Sequence, residues 1–251
     1  MMEANLVKVD SSVWSKYCEL APAPLSVADT GLPQIYLNEL ISKHIYKQGL
    51  LDLRQLQTNT ALEWNVLEEI IADLKKESLI EIKGPANNTS ALRYSLTERG
   101  IAFAKNAISK DGYIGFAPII VSAYEELVKS QSVHAEIIKE ERINEVFSDI
   151  VISKEMLDQL GAAINSNRAS FIYGPPGAGK SYICNILSQT LSNHVLIPHA
   201  IYVDGTVVQL FDPAVHRPVA YENKSGLLKQ GLDQRVILCR RPVIVSGGEL
   251  T

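Results

Sequence analysis

The sequence predicts a mixed α/β chain in two parts: a helical N-terminal unit closed by a β-hairpin, then an α/β unit built on a parallel sheet. Three observations predict it. Apolar residues recur at helical spacing through the first 110 residues, and the turn-forming run GPANNTSA (84–91) then separates two short alternating stretches. A glycine-rich turn at 174–181 stands between an apolar run and an amphipathic segment, a strand–loop–helix order. With 46% hydrophobic and 21% charged residues over 251 positions, the chain has the make-up of a globular protein with room for two units.

Composition narrows the function classes. A net charge of −4 provides no global basic field for nucleic acid or anionic lipid. Cys18, Cys184 and Cys239 are far apart and lack C-x-x-C spacing, which suits reduced thiols rather than a disulfide framework. The segment MMEANLVKVDSS does not have the basic-then-apolar order of a signal peptide, and no apolar run nears the roughly 20 residues that span a bilayer. A cytoplasmic protein without a membrane partner is expected.

Residues 1–30 read as irregular, with APAPLSVADTG (21–31) as an entry loop. Leu37, Leu40, Ile41 and Ile45 then mark one face of a helix that Gly49 stops. LDLRQLQTN reads as a short second helix. Thr60 and Glu63 have the spacing of a capping box before a third helix lined by Leu67, Ile70, Ile71 and Leu74. LIEIK (79–83) and LRYSL (92–96) form the hairpin. Thr97 caps a last helix with Ile101, Ala104 and Ile108 on one side. Three helices, a hairpin and a helix resemble a winged helix-turn-helix domain. A DNA reader of that type needs Lys and Arg on its third helix. Here the outward residues are Asn65, Glu68, Glu69, Ala72, Asp73 and Lys76, and the wing offers only Lys83 and Arg93. A protein-docking or structural role is the expectation, with DNA disfavoured.

Gly174-Pro175-Pro176-Gly177-Ala178-Gly179-Lys180-Ser181 satisfies G-x-x-x-x-G-K-[ST], the phosphate-binding loop. Its glycines let backbone N–H groups converge on an anion, and the following helix start adds partial positive charge. Lys180 is placed to reach the β- and γ-phosphates, and the Ser181 hydroxyl to ligate Mg²⁺. Ala169–Tyr173 is the expected buried strand before the loop. Ile183, Ile186, Leu187 and Leu191 are the apolar face of the helix after it.

GPPGAGKS, with its two prolines, looks like the loop of AAA+ ATPases, and the segment 146–181 resembles the lead-in of that class. There Ile150–Ile152 would pack on adenine or simply belong to the core. Tyr113-Ile-Gly115-Phe-Ala117-Pro118, Ile197-Pro198-His199-Ala200-Ile201-Tyr-Val203-Asp204-Gly205, Leu210-Phe211-Asp212-Pro213-Ala-Val-His216 and Arg241-Pro242-Val-Ile244-Val-Ser-Gly247-Gly248-Glu249-Leu250-Thr251 follow in order. Together with the N-terminal unit they are similar to a family of bacterial AAA+ proteins described as ATPases with chaperone-like activity. The resemblance implies ATP and Mg²⁺ as ligands, homo-oligomeric rings, and hydrolysis coupled to remodelling of a protein partner. It also implies an acidic strand after the GGELT segment and a helical lid, for which residues up to Thr251 offer no counterpart. Nucleotide binding with little hydrolysis is therefore expected.

The boundaries that follow are an N-terminal extension at 1–32, a winged helix at 33–110, a connector at 111–145 and an incomplete AAA+-like domain at 146–251. Two substitute acids were weighed, Asp204 at the end of VLIPHAIYVDG and Glu249 at the end of PVIVSGGEL. A phosphate-loop kinase with Asp204 at its substrate site is one alternative, and a nucleotide-regulated DNA binder is another. His199, Asp212, His216 and Cys239 are of metal-binding types without standard ligand spacing, so no zinc site is expected. Cys184 is expected on the packed face of its helix.

Overall fold

The structure, a computed structural model, describes residues 11–84, 92–132, 137–166, 168–191, 194–219 and 231–242. Those residues form a mixed α/β arrangement with three small sheets and three separate apolar cores.

The first core surrounds α2 (Gln34–Gln48), which begins after Pro33 and ends at Gly49, whose φ of 84° a residue with a Cβ rarely adopts. Leu37, Leu40, Ile41 and Ile45 are fully buried, as their spacing predicts. Asn38, Ser42, Lys43 and His44 are buried too, so α2 is enclosed on nearly every side. After β1 (Leu51–Asp52) comes α3 (Leu53–Thr60), then α4 (Trp64–Lys76), which buries Val66, Leu67, Ile70, Ile71 and Leu74. β2 (Ile80–Lys83) and β3 (Arg93–Leu96) pair antiparallel, Ile80 against Leu96, with β1 on the far side of β3. α5 (Glu98–Lys110) closes the unit, with Thr97 accepting from the Gly100 N–H as its N-cap.

Three local expectations are corrected. The capping box sits one helix earlier, on α3: Asp52 accepts from the Gln55 N–H and the Gln55 side chain accepts from the Asp52 N–H. Thr60 instead ends α3, its hydroxyl donating back to the Leu56 carbonyl, and Glu63 makes no side-chain cap on α4. On α5 the buried residues are Gly100, Ala104 and Ala107, while Ile101 is exposed. The small residues let α5 approach α2 and the Leu79 backbone more closely than isoleucine permits. Residues 11–20 are not irregular but form α1 (Ser11–Leu20). Tyr17 of α1 is buried in the second core, and the Asp233 N–H donates to the Ala21 carbonyl while the Ala23 N–H donates to Gly231.

The second core joins α1 to β4 (Ile119–Ile120), α6 (Val121–Ser130) and the C-terminal strands. The third holds α7 (Glu140–Val146), α8 (Lys154–Asn165) and α9 (Lys180–Leu187). No described helix is long and apolar enough to cross a membrane.

The expected parallel sheet is not formed by the described residues. The apolar run VLIPHAIYVDG (195–205) is not one continuous strand. It divides at His199 into β5 (His194–Pro198) and β6 (Ala200–Val203), which belong to different sheets. β5 pairs antiparallel with β9 (Val236–Arg240), and β8 (Arg217–Pro218) lies beyond it. β6 pairs parallel with β4 and antiparallel with β7 (Thr206–Gln209). The chain changes sheet at His199, whose N–H donates to the Arg235 carbonyl and whose carbonyl accepts from Leu210 and Phe211. The segment 243–251 lies outside the described residues.

A Cβ built on Gly100 would stand 1.9 Å from the Leu79 carbonyl oxygen, a backbone atom that also accepts from the Thr97 N–H. Gly100→Ala is expected to lower unfolding free energy by about 1–3 kcal/mol, because α5 must move off β2. Urea midpoints of the two proteins measure it.

Candidate functional site

The phosphate-loop sequence occupies an exposed turn that leads directly into α9. Gly177 and Gly179 take φ of 79° and 76°, and Gly179 is the residue from which α9 starts. Nothing lies within 4 Å of a Cβ built on either, so backbone conformation rather than crowding requires glycine there. The turn closes on itself: the Ala178 N–H donates to the Pro175 carbonyl and the Ile183 N–H to Gly179. No side chain caps the first turn of α9, which leaves its N–H groups facing the loop. Lys180 folds back over the loop, its Nζ donating to the carbonyls of Gly174 at 3.0 Å and Pro175 at 2.8 Å. Gly174 through Ser181 thus run from an exposed turn into the start of α9, with Ser181 exposed at the second position of that helix.

The support beneath the loop differs from expectation. Residues 169–174 are not a strand, and Phe171 and Tyr173 are 88% and 85% exposed. A central strand needs partners on both edges, and β5 is already paired with β9. Only Ile172 of this segment turns inward, joining Ile183, Leu187 and Leu191 in the third core. Ile150 and Ile152 reach the same core, so the lead-in segment does lie against the loop helix, although Val151 between them is fully exposed. Cys184, expected on the packed face, is exposed, because α9 is covered on one side only. Sequence reasoning missed the exposed aromatics Phe171, Tyr173 and Tyr182 flanking the loop. Their alternation with Ile172 reads as a strand, and nothing local signals that the strand has no partner.

The candidate acids are placed elsewhere. Asp204 and Gly205, with φ of 47° and 84°, form the two-residue turn between β6 and β7. This is the Asp-Gly chemistry of a type I′ hairpin, a signal the sequence carried and the search for an acid obscured. Nothing in that geometry favours Asp204 as a kinase substrate group. Glu249 lies outside the described residues. Among the described residues no group of three or more His, Cys, Asp and Glu is gathered as a metal site.

The other motif segments converge on one place. Lys43, 1% exposed, donates to the carbonyl and the carboxylate of Asp111 at 3.1 and 3.3 Å. His44 Nε2 lies 3.0 Å from the Gly115 carbonyl, and the Ala117 N–H donates to Thr60. The Tyr113 hydroxyl donates to the Phe116 carbonyl, and burial with the Asp111 charge pushes its pKa up to about 12. The Phe116 ring lies tilted against His199 at 4.2 Å, His199 meets Phe211 edge-on at 5.2 Å, and Phe211 stacks on His216 at 5.7 Å. Asp212 closes the DPAVH turn, its N–H donating to His216 Nδ1 and its carboxylate accepting from Ala214. His199, Asp212 and His216 thus serve an aromatic stack and a turn. Cys239 is buried within β9, which raises its thiol pKa to about 11. The segment 111–120 is a clasp between α2 and the β4–β6–β7 sheet.

On α4, Asn65, Glu68, Glu69, Ala72 and Lys76 are exposed and Asp73 half-buried. Two of the acids have internal partners: Glu69 accepts from the Val27 N–H and Asp73 from the Asn38 amide. Trp64, 42% exposed, donates to Glu68. This face is acidic and aromatic where a DNA reader is basic.

No family model, curated protein or solved structure matches the chain.

Burial holds the pKa values of His44, His194 and His199 below the ordinary 6.5, with Lys47 and Lys43 adding to the effect on His44 and Arg240 on His194. The unfolded chain then binds protons that the native chain refuses once pH falls below about 6.5. Stability is expected to be full above that value and to decline between pH 6.5 and the lower native pKa values. Urea titrations at pH 7.5 and 5.5 should show the loss, and equal midpoints would refute it.

Proposed function

We propose that the chain is a nucleotide-binding protein of AAA+-like type that holds ATP or ADP through Gly174–Ser181 and docks protein through its N-terminal unit. The observation that carries the reading is the loop itself. Two glycines in the left-handed region, an uncapped helix start and a lysine amine over the loop are the features that recognise a phosphate chain.

The residues present fit a polyphosphate. Backbone N–H groups of the loop and of the first turn of α9 would donate to phosphate oxygens. Lys180 would exchange its two carbonyl acceptors for phosphate, and the charge-assisted bonds so formed are the stronger ones. Ser181 would provide the hydroxyl for Mg²⁺, which neutralises phosphate charge when bound. Ile150 and Ile152 of the third core, with the exposed Phe171, Tyr173 and Tyr182 that flank the loop, are the apolar groups proposed to meet a base.

The N-terminal unit is proposed to be a winged helix. The order α2–α3–α4–β2–β3–α5, with β1 completing a three-stranded sheet, supports that reading. Its acidic α4 face supports protein docking over duplex DNA. Binding without turnover is proposed for residues 1–251, because Asp204 is committed to a hairpin turn. Coupling of hydrolysis to remodelling rests on the family resemblance alone.

Titration with a fluorescent ATP analogue in Mg²⁺, beside Lys180→Ala, tests the proposal, with phosphate release followed in the same samples. Affinity is expected to fall by roughly 2 kcal/mol or more in the variant, the scale of charged hydrogen bonds. Neither sample should release phosphate. Equal binding by both proteins would sink the phosphate-loop reading, and Lys180-dependent release would sink the claim of binding without turnover.

A further inference from the structure

The two C-terminal sheets treat their open edges differently. In the sheet β8–β9–β5, the outer side of β5 is closed by side chains. The Gln131 amide donates to the Leu196 carbonyl at 3.1 Å and accepts from the Leu196 N–H, as a neighbouring strand would. The Tyr17 hydroxyl donates to the His194 carbonyl, and Pro198 has no N–H. These contacts occupy or blunt part of the outer side of each of the three outward residues, His194, Leu196 and Pro198.

The edge of the sheet β4–β6–β7 has none of this. The pairs Val203–Thr206 and Ile201–Val208 flank the two-residue turn, and the Leu210 N–H donates to His199. These alternate as the hydrogen-bonded pairs of an antiparallel ladder, so the N–H and C=O of Val207 and Gln209 point away from β6. No described side chain covers them, and Thr206, Val208 and Gln209 are exposed. From Gly205 to Gln209 there is no charge and no proline, and the ladder is regular up to Leu210 and Phe211, whose N–H groups both donate to the His199 carbonyl as in a β-bulge.

We propose that this edge of β7 pairs antiparallel with β7 of a second copy of the chain, about a two-fold axis at Val207. The segment is complementary to itself. In that register the two Val207 residues exchange both backbone hydrogen bonds, and Thr206 of each copy faces Val208 of the other, β-branched against β-branched. Asp204 then faces Leu210 of the other copy. The register centred on Val208 instead sets Asp204 against Asp212 and is rejected by like charge. Val207 already packs its side chain on the first core, so the strand is held in place for pairing before the copies meet. This inference does not depend on nucleotide binding.

Light scattering on the full chain across a dilution series tests it, beside Val207→Pro and Val208→Lys. Val207→Pro removes an N–H that the hairpin itself does not use. Val208→Lys changes an exposed side chain and leaves the backbone intact, so it decides the matter if the proline variant fails to fold. A concentration-dependent dimer is expected, with dissociation raised roughly tenfold or more in both variants at unchanged circular dichroism. A monomer at all concentrations would overturn the proposal. So would a dimer that persists unchanged in Val208→Lys, which would place the contact elsewhere.

Discussion

The buried contact between Lys43 and Asp111 is the constraint on which the arrangement of the N-terminal unit depends. Lys43 lies on a helix enclosed by apolar side chains and is 1% exposed. A lone ammonium in such surroundings is costly, and removing its partner would leave it unpaired. Asp111 therefore has to end α5 at this place, and it does so while accepting from the Tyr113 N–H through its other oxygen. That fixes where the chain leaves α5. Gly115, Ala117 and Pro118 then follow along the same surface, and each backbone carbonyl or N–H there meets His44, Thr60 or Arg235. Arg235 is itself buried against Asp233. One buried charge on α2 is thus linked through a short segment to a second buried ion pair near the chain's other end.

The aromatic stack extends the same logic to the β-sheets. Phe116 comes from the clasp, His199 from the break between β5 and β6, and Phe211 and His216 from the turn after β7. Three motifs widely separated in sequence are neighbours in space. His199 and His216 have ring partners, and Asp212 and Asp204 belong to turns. The backbone agrees: the His199 carbonyl accepts from both Leu210 and Phe211, while its N–H donates to the Arg235 carbonyl.

What was legible in the sequence was local. The face Leu67, Ile70, Ile71 and Leu74, the stop at Gly49, the Thr97 cap and the two strands of the hairpin all follow from spacing and turn chemistry within a few residues. The misplacements have long-range causes. Thr60 has the spacing of a cap, but its hydroxyl is drawn to Leu56 in a buried turn. Ile101 has the helical period, yet the close approach of α5 to Leu79 selects Gly100 and Ala104 for the interface. Residues 169–174 have strand composition, but a strand exists only where another offers its edge. The glycines of the phosphate loop were legible because a left-handed turn is a local demand. The state of the sheet beneath them was not.

That separation bears on how the loop can bind. A phosphate loop gains its strength from donors already aimed at the anion, and the aiming normally comes from the strand below and the helix above. Here the helix side is built, with Ile183, Ile186 and Leu187 held against α7 and α8. The strand side is Ile172 alone, between two exposed aromatics. The loop's shape is maintained instead by contacts within itself, above all the two bonds from Lys180 to the carbonyls of Gly174 and Pro175. Those are the bonds that phosphate must replace. On the proposed reading, Lys180 would turn from the two carbonyls to the phosphate, and the phosphate would accept from the loop's N–H groups instead. The cost is the ordering of residues 169–174, at about 1–2 kcal/mol of backbone entropy for each residue fixed. A neighbouring strand that ordered this segment in advance would remove that cost. On the proposed reading, affinity for nucleotide and completion of the sheet would for this reason be coupled quantities.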